Sequence, residues 1–298
     1  YEPLCAWLST QVGGRLVKLE CTREETFVSN RVRHAIRTHI ISYVRPDGTL
    51  VARKFEAWSN QGGYASHGHA IVANASNAYR HLYQDEKVLD ADAYTVYTNL
   101  PSGGAMRGYG IPQVDFAMEA HMDDIARGLG LDPVELREKN CMKPGYVDPG
   151  TGIICYSSGL LACIEKGKAH IHWDEKRAAY RGQTGPVRRG VGMAVFSYKT
   201  GVYPTSMETS ACRIVMNEDG SAQVQMGATE LGQGADTVWA QIASEILTIP
   251  EERLQVQAMQ DTDVSPYDNG AYGSRQTYVC GGAVKQTAEL MRDKILAK

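Results

Sequence analysis

Asn99-Leu100-Pro101-Ser102-Gly103-Gly104-Ala105-Met106-Arg107-Gly108-Tyr109-Gly110-Ile111-Pro112-Gln113 is a glycine-rich stretch that runs into a helix start. Glycine lets a backbone turn where other residues strain, and lets a ligand come close to the main chain. Pro112 opens a run with Val114, Met118, His121, Met122, Ile125 and Leu129 on one face, closed by Gly128 and Gly130. Proline at the first turn, an apolar stripe at helical spacing and glycine at the end predict a core-facing helix. Two other segments have the same glycine-bearing character: Glu230-Leu231-Gly232-Gln233-Gly234, and Gly270-Ala271-Tyr272-Gly273-Ser274-Arg275. Where such a loop feeds a helix, free amide donors and the positive dipole end can hold a phosphate or another anion.

Upstream, Leu4, Trp7, Leu8 and Val12 have helical spacing before Gly13-Gly14, and a short strand is expected over Leu16 to Leu19. Thr22-Arg23-Glu24-Glu25 carries the capping-box pattern, so a helical turn is expected there. From His39 to Trp58, β-branched and aromatic residues flank Pro46-Asp47-Gly48, which predicts a hairpin. A second hairpin is expected from Arg213 to Met226 around Asp219-Gly220. Gln61-Gly62 follows the first Asp-Gly turn at the separation at which Gln233-Gly234 follows the second, which suggests two related sub-domains, residues 1–185 and 186–298. Asp132-Pro133 with Glu135 starts a short helix, and residues 143–158 read as a long surface loop. Val238, Trp239, Ile242, Ala243 and Ile246 make a helical face ended by Pro250, after which Leu254, Val256 and Ala258 alternate like a strand. Ala283 to Leu296 is again helical, so strands interleaved with amphipathic helices predict an α+β architecture.

With 298 residues and 43% apolar content, the chain can bury a substantial core. A net charge of -3 without long runs of one sign offers no electrostatic footprint for nucleic acid or a membrane surface. No window is apolar enough for a membrane span and no signal peptide is evident, so a cytoplasmic protein is expected. The absence of an initiator Met at Tyr1 and the stop at Lys298 just after an apolar helical run suggest a fragment of a longer chain.

The common catalytic signatures are missing: no phosphate-cradling P-loop, no strand-bounded dinucleotide fingerprint, no H-E-x-x-H and no G-x-S-x-G. Seven cysteines, Cys5, Cys21, Cys141, Cys155, Cys163, Cys212 and Cys280, never have C-x-x-C spacing, and are read as reduced, mostly buried thiols. His67/His69 and His170/His172 lack further ligands at metal-binding spacing and read as surface or packing histidines. Glu24-Glu25, Asp123-Asp124 and Glu251-Glu252 are assigned to solvated faces or helix starts, and Glu230 to ordering the adjacent glycine loop.

Taken together, three segments carry a resemblance. Asn99-Leu100-Pro101-Ser102, Ala105 to Gly110 and Pro112-Gln113 resemble one stretch of xanthine dehydrogenases and aldehyde oxidases. Gly227-Ala228-Thr229-Glu230-Leu231-Gly232-Gln233-Gly234 is similar to that family's second segment, and Gly273-Ser274-Arg275 before Gly281-Gly282-Ala283-Val284 to its third. The similarity runs along nearly the whole chain. It implies the molybdenum-cofactor-binding domain of molybdenum hydroxylases, built of two related mixed α/β sub-domains, with a molybdopterin cofactor that includes the cytosine dinucleotide form among its candidates. It further implies that Met106 and Arg107 bind the cofactor through their backbone. Gln233, with Gly234 beside it, would face the oxo ligand of molybdenum. Gly273 and Ser274 would hold the phosphate side of the pterin, and Tyr109 would stack on a flat substrate.

The implied reaction is oxidative hydroxylation of a purine or related N-heterocycle, with water as the oxygen source. An aldehyde or a nicotinate-like ring is the runner-up, and a non-catalytic binding module the reading from another class. The Arg with which purine-specific relatives hold the ring falls near Ala70. The general base, a Glu in the family, is expected beyond residue 298, so no catalytic base is assigned and the piece is not expected to turn over alone. Electrons would pass to 2Fe–2S centres and FAD on partner subunits or other domains, which implies a hetero-oligomer.

Overall fold

The structure is a computed structural model that describes all residues except 88, 203–206, 258–260 and 262. The chain divides into two compact units, Tyr1–Tyr198 and Lys199–Lys298.

The first unit opens with α1 (Glu2–Gln11) and α2 (Arg23–Ser29), and the capping box forms as expected: Glu25 N donates to Thr22 Oγ1 and Thr22 N to Glu25 Oε2. Neither helix buries a residue. The expected strand at Leu16–Leu19 is absent, and Leu16 is fully exposed. An extended run without a neighbouring strand leaves its backbone groups to water, so alternation alone does not make it a strand.

The hairpin follows as β1 (Ile36–Val44) and β2 (Leu50–Gly62), antiparallel, with Ile40 opposite Phe55. Asp47 Oδ1 accepts from Thr49 N at 3.0 Å and Gly48 takes φ +87°, the conformation this turn needs. From β2 the chain crosses through α3 (Gly68–Ala78) to β3 (Asp90–Tyr97), which pairs parallel with β2. The sheet order is β1-β2-β3. The helix predicted from Pro112 is α4 (Ile111–Leu129), followed by α5 (Pro133–Asn140), whose Asp132 cap accepts from Val134 N at 2.8 Å. Next come α6 (Leu160–His170) and α7 (Trp173–Ala179). Phe55, Ala57, Val72, Tyr79, Val114, Met118, Met122 and Trp173 share one core, against which Val191, Met193 and Val195 also pack. Of the predicted α4 stripe, Leu129 lies in the last turn and is exposed, whereas Asp115 and Glu119, which the apolar pattern passes over, are buried.

Two arginines anchor that core. Arg53 pairs with Asp85 (Nη2–Oδ2 2.7 Å) and lies over the Tyr79 ring. Arg137 pairs with Glu119 (Nε–Oε2 2.8 Å), and the other Glu119 oxygen accepts from Tyr83 Oη at 2.6 Å. Buried charges persist only when paired and hydrogen-bonded in this way.

In the second unit β4 (Cys212–Met216) and β5 (Ala222–Met226) form the second predicted hairpin. Its turn is closed by Ser221 N donating to Asp219 Oδ1 at 2.8 Å. The chain then runs through α8 (Ala235–Leu247) to β6 (Leu254–Val256), parallel to β5. The order β4-β5-β6 repeats that of the first sheet, with the helix in the same place, so the two units share one topology. Ala258, expected to extend β6, lies outside the described residues. A π-helical turn, Gln276–Cys280, runs directly into α9 (Gly281–Leu296). A Cβ on Gly281 would lie 2.9 Å from Ile242 Cδ1, so the small residue lets α9 pack closely on α8. Trp239, Val224, Met226 and Val284 fill this core.

All seven cysteines are free, as read from spacing, but only Cys141 and Cys280 are buried, so the expectation of mostly buried thiols is corrected. Among the described residues no helix is long and apolar enough to cross a membrane.

Candidate functional site

In the first unit the segment from Gly108 to Gly110 is a run of positive-φ backbone: Gly108 φ +100°, Tyr109 φ +44°, Gly110 φ +93°. A Cβ on Gly110 would lie 2.6 Å from Ile71 O, and one on Gly108 2.7 Å from the Pro112 ring. Tyr109, which has a side chain, is strained there and is held at three points. Its N–H donates to Met106 O at 2.8 Å, its carbonyl accepts from Asn74 Nδ2 at 2.8 Å, and its hydroxyl meets His67 Nδ1 at 2.8 Å. Burial raises the Tyr109 pKa, with Tyr198 adding to the effect, so the phenol stays protonated near neutrality.

The preceding loop is tied down by residues far away in sequence. Arg33 donates through Nη2 to Arg107 O and through Nη1 to Gln113 Oε1 at 3.3 Å, while Gln113 Nε2 donates to His34 O at 3.1 Å. Gly103 and Gly104 have to be small, because added Cβ atoms would lie 2.6 Å from His34 Nδ1 and 2.3 Å from Arg31 Cβ. His34 is buried without a ring partner among the described residues, and burial lowers its pKa, so it stays neutral. Met106 and Arg107 are exposed, and among the described residues the N–H groups of Met106, Arg107 and Gly108 have no hydrogen-bond acceptor. A bound group could take up those donors.

In the second unit, Glu230 curls over the start of α8. Its Oε1 accepts from Gly232 N (2.6 Å) and Gly234 N (3.0 Å), and its Oε2 from Asp236 N (3.1 Å). The bond from Gly234, with those from Asp236 and Gly232, lowers its pKa. Glu230 therefore orders the loop, as expected. The consequence for the anion-site expectation is a correction: at α8 the amide donors already serve the chain's own carboxylate. Gln233 is also engaged. Its Oε1 accepts from Leu231 N, and its Nε2 donates to Thr229 O (3.2 Å) and to Gln276 Oε1. Gln276 is in turn fixed by donating to Thr229 O at 2.9 Å. Cβ atoms added to Gly232 or Gly234 would meet nothing within 4 Å, so the loop's surface is open for a ligand.

The third segment is held by Arg275, whose side chain is fully buried. It donates to Glu208 Oε2 (2.8 Å), Asp268 Oδ1 (2.6 Å), Gly270 O (3.0 Å) and Thr209 O. That anchor places Gly273 (φ +60°) and Ser274 (φ +53°) at the head of the helical run from Gln276. Gly273 O accepts from Gly201 N at 2.7 Å, and Ser274 is exposed. Ser274 lines a cleft of about 580 Å³ together with Thr200, Thr277, Gly281, Gly282 and Lys285. Ile242 and Tyr278 complete a largely apolar lining, in which the Thr200, Ser274 and Thr277 hydroxyls and the Lys285 ammonium are the polar groups an anionic ligand could use.

Among the described residues no group of three or more His, Cys, Asp or Glu could hold a metal directly, and the His-x-His pairs contribute to none. Arg33, His67, Asn74, Gln276 and Arg275 order the loops, yet the sequence reading gives them no such role. They lie up to 80 positions from the atoms they bond, as Arg33 does from Gln113, and have no local pattern.

Comparison with known proteins converges on one class. Models of the molybdopterin cofactor-binding domain match residues 1–141 and 166–298. The chain belongs to the molybdenum-cofactor-binding domains of the xanthine dehydrogenase family. Among its relatives, the xanthine dehydrogenase molybdenum-binding subunit of Escherichia coli O157:H7 is 45% identical over 99% of this chain, which spans 39% of that relative's length. The aldehyde oxidoreductase structure from Desulfovibrio desulfuricans ATCC 27774 matches 95% of this chain at a TM-score of 0.81 and 28% identity, over 31% of its own length. Quinoline 2-oxidoreductase from Pseudomonas putida 86 shares the fold, with a TM-score of 0.84 over 99% of this chain and 39% of its own.

Proposed function

We propose that this chain is the cofactor-binding part of a molybdenum hydroxylase acting on a purine or a related N-heterocycle. The observation that carries the reading is the 45% identity, over 99% of the chain, to a xanthine dehydrogenase molybdenum-binding subunit. The residues fit the cofactor. Met106 and Arg107 would hold it through their exposed N–H groups. Gln233 would donate to an oxo ligand with the Nε2 hydrogen now given to Gln276, and Gly234 leaves the surface beside it open. Gly273 and Ser274 would carry the phosphate side, with Lys285 in the same cleft supplying positive charge. When bound, the molybdenum cofactor supplies the two-electron acceptor and the water-derived oxygen of a hydroxylation. What the chain's own residues contribute is position: a phenol held upright at Tyr109 for a flat substrate, and loops locked before any ligand arrives.

Electrons would leave for 2Fe–2S and FAD centres on partner subunits or other domains, and the pterin would be the cytosine dinucleotide form if the Ser274 cleft takes a second phosphate. Seven unpaired cysteines are in keeping with a reducing cytoplasm. The second reading, aldehyde oxidation, is favoured by the aldehyde oxidoreductase match.

The test is elemental analysis of the full-length protein, matured with its partners, beside Lys285→Glu. We expect stoichiometric molybdenum in the natural protein and several-fold less in the variant. No molybdenum in properly matured protein would leave a binding module.

A further inference from the structure

We propose that Arg33 is a positioning residue for the cofactor: by holding the Arg107 carbonyl it fixes the flip of the Arg107–Gly108 peptide and keeps the Gly108 N–H turned outward to a bound group. The inference rests on the reading above that the exposed N–H groups of this turn hold the cofactor.

Met106 to Tyr109 form a tight turn. Tyr109 N donates to Met106 O at 2.8 Å, Arg107 keeps a negative φ, and Gly108 takes φ +100°. A bond from the fourth residue to the first, with positive φ at the second central residue alone, marks a type II turn. A type I turn closes the same bond but rotates the central peptide by about 180°, with its second central residue at negative φ. Glycine can adopt both conformations, so Gly108 does not by itself decide which way the peptide faces.

Arg33 decides it. Its Nη2 donates to Arg107 O, the carbonyl of that central peptide, and its Nη1 to Gln113 Oε1 at 3.3 Å. In a trans peptide the C=O and N–H point in opposite directions, so a carbonyl drawn towards Arg33 leaves the Gly108 N–H facing away from it. In the flipped turn the carbonyl would leave the guanidinium and the N–H would face it, donor against donor. The same rule turns the Arg107 N–H away from the turn, because Met106 O is taken by Tyr109 N. Neither N–H has an acceptor among the described residues.

The guanidinium is itself held in place. Val32 N donates to Ser102 O at 3.2 Å and Gly104 N to Val32 O at 3.1 Å, so the backbone that carries Arg33 runs bonded alongside the loop. Gln113, in the first turn of α4, returns a bond from Nε2 to His34 O at 3.1 Å. Arg33 is exposed and outside the buried core, so replacing it changes the turn without opening a cavity.

Two substitutions test the carbonyl bond. In the full-length protein, matured with its partners, the rate of molybdenum loss is followed by elemental analysis after timed gel filtration, and thermal unfolding is measured on the cofactor-free protein. We expect R33M to release molybdenum about three- to tenfold faster, the worth of one net hydrogen bond, with the unfolding midpoint unmoved. R33K keeps a cationic donor for the Arg107 carbonyl while losing the fork to Gln113, and should release molybdenum within about twofold of the natural rate. The proposal is overturned if R33M holds molybdenum as long as the natural protein, if R33K releases it as fast as R33M, if the unfolding midpoint falls in step with retention, or if the natural protein holds no molybdenum. The two readings fail separately: molybdenum present with R33M indifferent removes the role of Arg33 alone, whereas no molybdenum in properly matured natural protein removes the cofactor reading and this proposal with it.

Discussion

Asp115 lies in α4 two positions after Gln113, buried although the expected apolar stripe passes over it, and burial with Glu119 nearby pushes its carboxyl up to about 7. An unfolded chain titrates Asp near about 4. Between those two values the folded state keeps a proton that the unfolded state has lost, so stability falls as pH rises through the window. The cost is fully present above about 7 and absent below about 4. Asp115→Asn should therefore stabilise the full-length protein by about 2 kcal/mol at alkaline pH and leave it unchanged at acid pH, as read by thermal unfolding at both extremes. A gain of the same size at both would show that the carboxylate is not the cause. Glu230 is the opposite case: its carboxylate has a lowered pKa, because backbone N–H groups bond its charged form.

At the scale of elements, glycines divide into those that the packing requires and those it merely tolerates. Gly110→Ala places a Cβ 2.6 Å from Ile71 O at φ +93°, and should cost about 2–4 kcal/mol, measured by chemical denaturation. Gly128→Ala, inside α4 with nothing within 4 Å, should stabilise by about 0.5–1 kcal/mol. Equal effects would refute this account of the loop. Both hairpins, α4, α5, α8 and α9 are legible in sequence because each has local punctuation: Asp-Gly turns, the Asp132 cap, Pro112, or a 3.6-residue stripe. α3 and β3 are not picked out, since α3 starts without a side-chain cap and β3 is mostly exposed, with few apolar alternations to read. Leu16–Leu19 shows the converse failure, where a local pattern has no partner strand to complete it.

Across the whole molecule, the repeat seen faintly in two Gln-Gly pairs reappears as two sheets of identical order, each a hairpin followed by a helix and a parallel third strand. The three glycine-bearing segments could be recognised in sequence because backbone at positive φ, as at Gly108, Gly234 and Gly273, tolerates few residue types. Their supports could not. Arg33 on the Arg107 carbonyl, Arg275 among two carboxylates and His67 on Tyr109 are contacts made by folding, between residues whose types are common on any surface.

The central claim, that this chain serves a molybdenum hydroxylase of N-heterocycles, is tested most directly by turnover of xanthine in oxygen-labelled water by the full-length enzyme with its partners. The account predicts label from water in the hydroxylated purine. Label absent from the product, or entering an aldehyde substrate alone, would contradict it.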